Sequence, residues 1–205
     1  MDREKIFTFK ALIFDLDGTL IDSEPYHLQS WNRVLARYGL KLMDEEMIGR
    51  VGGISTVKIS TMMCHDQGRD DLDPVMIGQL KTDVYRSQYM EKVLPFEGIA
   101  NYLKEGRARG LKIAVATGSQ LPESEFILKK VGLFPFIDTI VSSDQVAHSK
   151  PAPDTYLTAA QRLGVEPGQC LVFEDTPLGL QGIKAAGMTA LQVAKGAIIS
   201  DFILP

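Results

Sequence analysis

Four short apolar runs, each stopping at a polar or acidic residue, punctuate this chain: ALIF before Asp15, KIAVA before Thr117, DTIVSS before Asp144 and CLVF before Glu174. They are rich in β-branched residues and only a few residues long, the pattern of strands buried on both faces. A fifth, weaker run is TALQV. After Ala116, Ser143 and Phe173 come segments of helical period, 123–131, 153–163 and 178–186, which end at Gly132, Gly164 and Gly187. Each glycine stands where a left-handed helix stop favours one. Strand and helix in alternation predict an α/β fold with a parallel sheet covered on both sides.

The interval between the first run and the second breaks this rhythm. Roughly ninety residues separate them, far beyond an ordinary crossover connection, so an inserted domain is expected there. Ser23 stands where a helix cap would, with Pro25 in the first turn, and Leu28, Trp31, Leu35 and Tyr38 follow at helical spacing up to Gly39. Further helical patterns cover 44–47, 56–63 and 73–90, and no convincing strand occurs between Ser23 and Glu91. The division expected is a core of residues 1–22 and 92–205 carrying a helical cap of residues 23–91.

Composition narrows the classes of function. The formal net charge is -4 and no Lys/Arg-dense run exists, which argues against a nucleic-acid surface. Cys64 and Cys170 are the two cysteines, far apart and without partners at metal-ligand spacing, so neither a disulfide framework nor a zinc site is expected. The first ten residues, MDREKIFTFK, carry charges where a signal peptide needs an apolar stretch. No run of about 18 apolar residues occurs, so no membrane span is expected, and the default location is the cytoplasm. No exposed apolar stripe declares itself, and a monomer is the expectation.

In open parallel sheets ligands bind beyond the carboxyl ends of the strands. The residues there are Asp15 and Asp17, Thr117 to Ser119, Asp144, and Glu174 with Asp175, all small, polar or acidic. Asp15 and Asp17 sit in ALIFDLDGTL, where a strand delivers two negative charges to one spot. Either a cation sits between them, or one carboxylate changes role. Carboxylates converging on one edge favour a hard cation, and Mg²⁺, held by one or two carboxylates and a substrate phosphate, is the simplest choice. The Thr117-Gly118-Ser119 turn offers a hydroxyl and backbone N–H groups at a strand-to-helix junction, where an anion is favoured. Lys150 adds a positive charge. Taken singly, each has a plain structural reading: Asp144 as a helix cap, TGS as an ordinary turn, Lys150 as solvated surface. The Asp-x-Asp-Gly-Thr turn is the more specific signal, and together the set describes a phosphoryl group bridged to a metal.

With these motifs the chain resembles the haloacid dehalogenase superfamily of phosphotransferases. FDLDGTL matches its first motif, VATGS its second, HSKPAPD its third and VFEDT its fourth. The resemblance implies a Rossmann-like core with a helical cap inserted after the first motif. It implies that Asp15 is the nucleophile forming an aspartyl phosphate, and that Asp17 is the general acid and base, its backbone carbonyl also binding Mg²⁺. It further implies that Thr117 and Gly118 hold phosphate oxygens, that Lys150 neutralises charge beside Asp15, and that Asp175 ligates Mg²⁺ with Glu174 close by.

The branch that the chain resembles contains β-phosphoglucomutase and the bacterial fructose-1-phosphate phosphatases, whose cap opening is similar to DSEPYHLQSWNRVLARYGL, with His27 and Trp31 at matching places. His27 is either a partly buried surface histidine or a contact to Asp17 coupling cap closure to chemistry; Trp31 reads as cap packing. The mutase grips a far phosphate with a cap-loop arginine, and in GGISTVK the aligned residue is Thr56, with Arg50 and Lys58 near enough in sequence to compensate. The loop bearing Gly53 and Thr56, together with Lys81, Ser119 and His27, is expected to complete the substrate site. The function expected is a Mg²⁺-dependent phosphatase for a small sugar phosphate, fructose 1-phosphate or a similar hexose phosphate. β-Phosphoglucomutase is the first alternative, and a sugar-phosphate-binding protein without turnover the second.

Overall fold

In the computed structural model, which describes residues 3–205, five strands lie parallel: β1 (Ala11–Phe14), β2 (Lys112–Ala116), β3 (Thr139–Val141), β4 (Cys170–Glu174) and β5 (Thr189–Ala194). Their order is β3-β2-β1-β4-β5, and β6 (Ala197–Ile198) closes the β5 edge antiparallel. The expected run DTIVSS is strand only over Thr139–Val141; Ser143–Gln145 winds into a 3-10 turn.

Period-two alternation sends the side chains of each strand to opposite faces. On one face Leu12, Phe14, Ile113, Val115, Leu171 and Phe173 pack against α6 (Glu97–Ala108) and α7 (Leu121–Lys130). Phe14 and Phe173, paired across β1 and β4, stack with ring centroids 4.6 Å apart. On the other face the strands present smaller groups, Ala11, Ile13, Ala114, Ala116 and Val172, to α8 (Asp154–Leu163) and α9 (Pro177–Ala185). Each of the larger side chains contributes about 1.5–3 kcal/mol on full burial. A short helix, α1 (Arg3–Ile6), precedes β1. Helix α6 lies close to the sheet because Gly106 has no side chain: a Cβ there would come within 2.7 Å of the Leu12 side chain.

From β1 the chain winds outward to β2 and β3, then returns to lay β4 on the opposite side of β1. The switch in direction falls beside β1, so the carboxyl ends of β1, β2 and β4 open onto one crevice.

Between β1 and α6 the described residues form helices α2 (Glu24–Arg37), α3 (Glu45–Val51), α4 (Thr56–Asp66) and α5 (Pro74–Gln88), a 3-10 turn at Met90–Lys92, and no strand. These helices share an apolar cluster of their own, which includes Trp31, Leu35, Met43, Ile59, Met63 and Ile77. Asp44 and Asp73 cap α3 and α5 through the backbone N–H groups of Met47 and Val75. Ser23 behaves differently. It precedes α2, but its hydroxyl makes no cap bond and donates to Asp17 Oδ1 at 2.6 Å. The two crossings of the chain into and out of this helical unit are tied side by side, Asp22 N–H to Leu94 O at 2.9 Å and Phe96 N–H to Leu20 O at 2.8 Å.

Candidate active site

The turn after β1 builds the first part of the site. The Asp15 N–H bonds the Phe173 carbonyl at 2.9 Å, which fixes the end of β1 against β4. Gly18 adopts φ +80, and a Cβ there would stand 2.2 Å from Asp175 Oδ2, so the turn passes tight against the carboxylate at the end of β4. Thr19 donates to Asp175 Oδ1 at 2.8 Å.

Asp15 is buried and accepts from Lys150 Nζ at 2.6 Å through Oδ1. Lys150, itself buried, also reaches Glu174 Oε2 at 2.8 Å. Glu174 is surrounded by donors: besides Lys150, the Tyr156 hydroxyl at 2.7 Å meets Oε2, and the Thr176 N–H and hydroxyl, at 2.9 and 2.7 Å, meet Oε1. Its role in this geometry is to hold Lys150 in place. Burial, then the neighbouring Glu174 charge, pushes the Asp15 carboxyl upward against the pull of Lys150. Burial and Glu174 push Asp175 up as well, to about 8. Carboxylate oxygens of Asp15, Glu174 and Asp175 all lie within 4.8 Å of one another. Crowded, buried oxygens of this kind fit a hard divalent cation, whose charge would offset the burial and the mutual repulsion that raise Asp15 and Asp175.

Asp17 is gripped by three side chains. Ser23 and Ser119 donate to its two oxygens at 2.6 Å each, and His27 Nε2 lies 3.0 Å from Oδ1. On the far side of the imidazole, Lys81 Nζ stands 2.8 Å from Nδ1. An ammonium has only protons to offer, so Nδ1 accepts and Nε2–H donates to Asp17: the imidazole is neutral, with its proton aimed at the carboxylate. Burial, with Lys81 beside it, lowers the His27 pKa, which agrees with that tautomer. Burial also lowers Lys81, to about 8, so it stays protonated at neutral pH. Burial alone would raise Asp17, but His27 and the two serine hydroxyls outweigh it and hold the carboxyl below its ordinary range.

The remaining expected residues gather at the same crevice. Thr117 is buried at the end of β2, and its hydroxyl accepts the Ser119 N–H at 3.0 Å. Gly118 meets the cap directly, since a Cβ on it would stand 2.8 Å from the Gly53 carbonyl oxygen. Gly53 (φ +80) in turn abuts Lys150, so the cap loop lies over both the phosphate turn and the lysine. Asp144 stands apart. It caps the neighbouring helix α7 by accepting the Leu121 N–H at 3.1 Å, the plain reading of that residue. The cleft between cap and core encloses about 620 Å³ counting its mouth, and is lined by Asp15, Asp17, Thr117 and Ser119 below and by Trp31, Ile48, Val51, Ile54, Thr56 and Ile59 above.

Three contributors escaped the sequence. Ser23 looked like a helix cap, Tyr156 carried only a helical-core signal, and Thr19 was absorbed into the motif without a role of its own.

The haloacid dehalogenase-like hydrolase family profile matches residues 12–193. The chain belongs to that family. A curated relative of this haloacid dehalogenase-like hydrolase is the fructose-1-phosphate phosphatase YqaB of Escherichia coli (strain K12), 40% identical over 185 residues that cover 90% of this chain and 96% of that protein. Another is the β-phosphoglucomutase of Bacillus subtilis (strain 168), 30% identical over 195 residues, with 91% of this chain and 84% of that protein covered. Among solved structures, a β-phosphoglucomutase from Clostridium difficile superposes with a TM-score of 0.82 over 91% of this chain and 85% of that one; at 24% identity the likeness is one of fold. The protein is a hydrolase, and the phosphatases among its relatives group it with enzymes of phosphoric monoesters.

Proposed function

We propose that this protein is a Mg²⁺-dependent phosphatase that hydrolyses a small sugar monophosphate, fructose 1-phosphate or a similar hexose phosphate, in two steps through an aspartyl phosphate on Asp15. The observation that carries this reading is the scarcity of positive charge on the cap side of the cleft. Among the described residues lining it, Lys81 is the one cap lysine or arginine, and it is already bonded to His27. Arg50 does not line the cleft itself: it is three-quarters exposed, pairs with Glu46 and lines, with Lys195, an adjoining depression that shares Glu24, Asp175 and Thr176 with the cleft, while Lys58 is exposed. A mutase must hold a second phosphate while the first is transferred. This cap instead presents Ile48, Val51, Ile54, Ile59 and Thr56, a wall that offers no charge to a second phosphate. The 40% identity to the fructose-1-phosphate phosphatase supports the same reading.

In the first step Asp15 attacks phosphorus, the ester oxygen leaves, and Asp17 gives it a proton. In the second, water attacks the phosphorus of the aspartyl phosphate while Asp17 takes the proton back, and Asp15 is released with inorganic phosphate. The hydroxyls of Ser23 and Ser119 can rotate to donate to the carboxylate or accept from the acid, while the His27 N–H favours the carboxylate, the form that takes the proton from water. Lys150 holds positive charge at Asp15, and the backbone of the Thr117–Ser119 turn faces the phosphate oxygens. Asp15, the Asp17 carbonyl and Asp175, with Glu174 beside them, would hold Mg²⁺, which supplies neutralisation of the charge between phosphate and carboxylates. Residues 23–91 act as the cap, excluding bulk water. The cytoplasm, as a monomer, is the setting we assign to it.

The test is a panel of sugar phosphates with Mg²⁺, following phosphate release alongside conversion of β-glucose 1-phosphate to glucose 6-phosphate with a bisphosphate primer. Release from fructose 1-phosphate or another hexose monophosphate is expected. Isomerisation faster than release would replace the phosphatase reading with the mutase one, and neither activity would leave a binding protein.

A further inference from the structure

Besides the His27–Asp17 bond, one ion pair crosses from cap to core among the described residues. Arg86, near the end of α5, reaches Glu123 Oε1 through both Nε at 2.8 Å and Nη2 at 2.6 Å, and Nη2 also lies 3.4 Å from Gln120 Oε1. The Glu123 side chain is 7% exposed, so removing Arg86 would leave a buried carboxylate without its ion-pair partner. Its second oxygen, Oε2, is buried with no bonding partner, and so is the hydroxyl of Tyr85, the residue beside Arg86. Buried, unpaired polar atoms are costly and are retained where something other than stability selects them.

The position of the pair gives it meaning. Glu123 lies in the first turn of α7, which begins where the Thr117–Ser119 turn ends, and Ser119 holds one oxygen of Asp17. Arg86 lies on α5, the helix whose Lys81 bonds His27 and whose Tyr85 stacks on the His27 ring at 4.2 Å between centroids. His27 holds the other oxygen of Asp17. A closed circuit therefore runs from Asp17 through His27 and Lys81, along α5 to Arg86, across to Glu123, back along the start of α7 to Ser119, and to Asp17 again.

We propose that Arg86 and Glu123 are positioning residues for Asp17, closing this circuit so that the cap grips the acid–base carboxyl from both sides at once. The inference rests on the phosphatase reading, in which Asp17 protonates a sugar alkoxide. Glu123→Gln, Arg86→Gln and the double variant would be assayed on fructose 1-phosphate and on p-nitrophenyl phosphate, whose leaving group departs without a proton. Backbone deuterium uptake would be followed in the same proteins. Each single variant is expected to lose about tenfold to a hundredfold in kcat/KM on the sugar phosphate, the scale of a small misplacement of a reacting group, with a much smaller loss on the aryl ester. The double variant is expected to lose no more than the worse single one, because the two residues act as a unit. Uptake should quicken in 84–88 and 120–124 in all three variants. Equal losses on both substrates, or losses that multiply in the double variant, would overturn the proposal. If the wild-type protein releases phosphate from no sugar phosphate, the phosphatase reading fails and the exchange decides the circuit alone: quickened uptake in both segments upholds it as a cap-to-core clasp, and unchanged uptake removes it.

Discussion

Asp15 and Asp17, two residues apart, live in opposite environments. Asp15 faces other buried carboxylates and is pushed up by burial and Glu174; Asp17 faces donors, which outweigh burial and hold it down. Asp15→Asn is expected to abolish phosphate release, read by a colorimetric assay, while circular dichroism and melting temperature stay near wild type. Retained turnover would remove the aspartyl-phosphate route. Lys81 sets the pH dependence. Its folded pKa is about 8, below its ordinary 10.5, so it carries its proton at neutral pH and loses it as pH rises through about 8. The charge that keeps the His27 proton directed at Asp17 then disappears. kcat/KM, which reports the free enzyme, should therefore fall above about 8, and in Lys81→Met that limb should vanish at a lower overall rate. The carboxylates were legible in the sequence because FDLDGTL ties each to a fixed place after a strand. Ser23 was not: a serine before a helix is ordinarily a cap, and only the folded turn at Asp17 diverts its hydroxyl.

Among the elements, strands were the most legible, since an apolar run bounded by a carboxylate or a hydroxyl has one natural reading. Helix α6 was harder to see. Gly98 and Gly106 interrupt its pattern, and their reason is tertiary: in both, a Cβ would run into a neighbour, the Gly196 carbonyl in one and Leu12 in the other. The cap loop after α3 is expected from the sequence to help form the substrate site, but its contact with the core is not, because nothing local marks which backbone it will meet. Gly53 meets Gly118 and Lys150, and its positive φ disfavours any side chain. Gly53→Ala is expected to cut kcat/KM for the sugar phosphate by about tenfold or more, since the strain and the added methyl both oppose seating of the loop. Differential scanning calorimetry should show a far smaller proportional change in the melting transition. A variant with normal kcat/KM would mean that the loop does not seat during turnover.

At the scale of the whole molecule, the acidic cluster would link stability to binding of the proposed Mg²⁺. Asp15 and Asp175 are both raised by burial and by Glu174, so bringing these charges together opposes folding until a cation is present. Mg²⁺ at 100 times its Kd should stabilise the protein by about 2.7 kcal/mol, or roughly 5–10 °C in melting temperature for a chain of this size. In chelator, Asp175→Asn should melt at or above wild type, and added Mg²⁺ should move it little; a wild-type-sized shift in that variant would exclude Asp175 as a ligand. The helical insertion is expected from the long interval after β1, and the described residues there are helical, whereas the way α5 reaches over to α7 depends on packing that no short segment encodes. Trp31 gives that packing an optical consequence. It is the single tryptophan of the chain, 1% exposed, in the cap, on the wall of the cleft and 5.7 Å from the Lys81 ammonium. Its emission is therefore a built-in reporter, with no dye to attach and no second indole to subtract, and a stopped-flow trace of one turnover should record the cap settling and lifting as a change in colour and brightness.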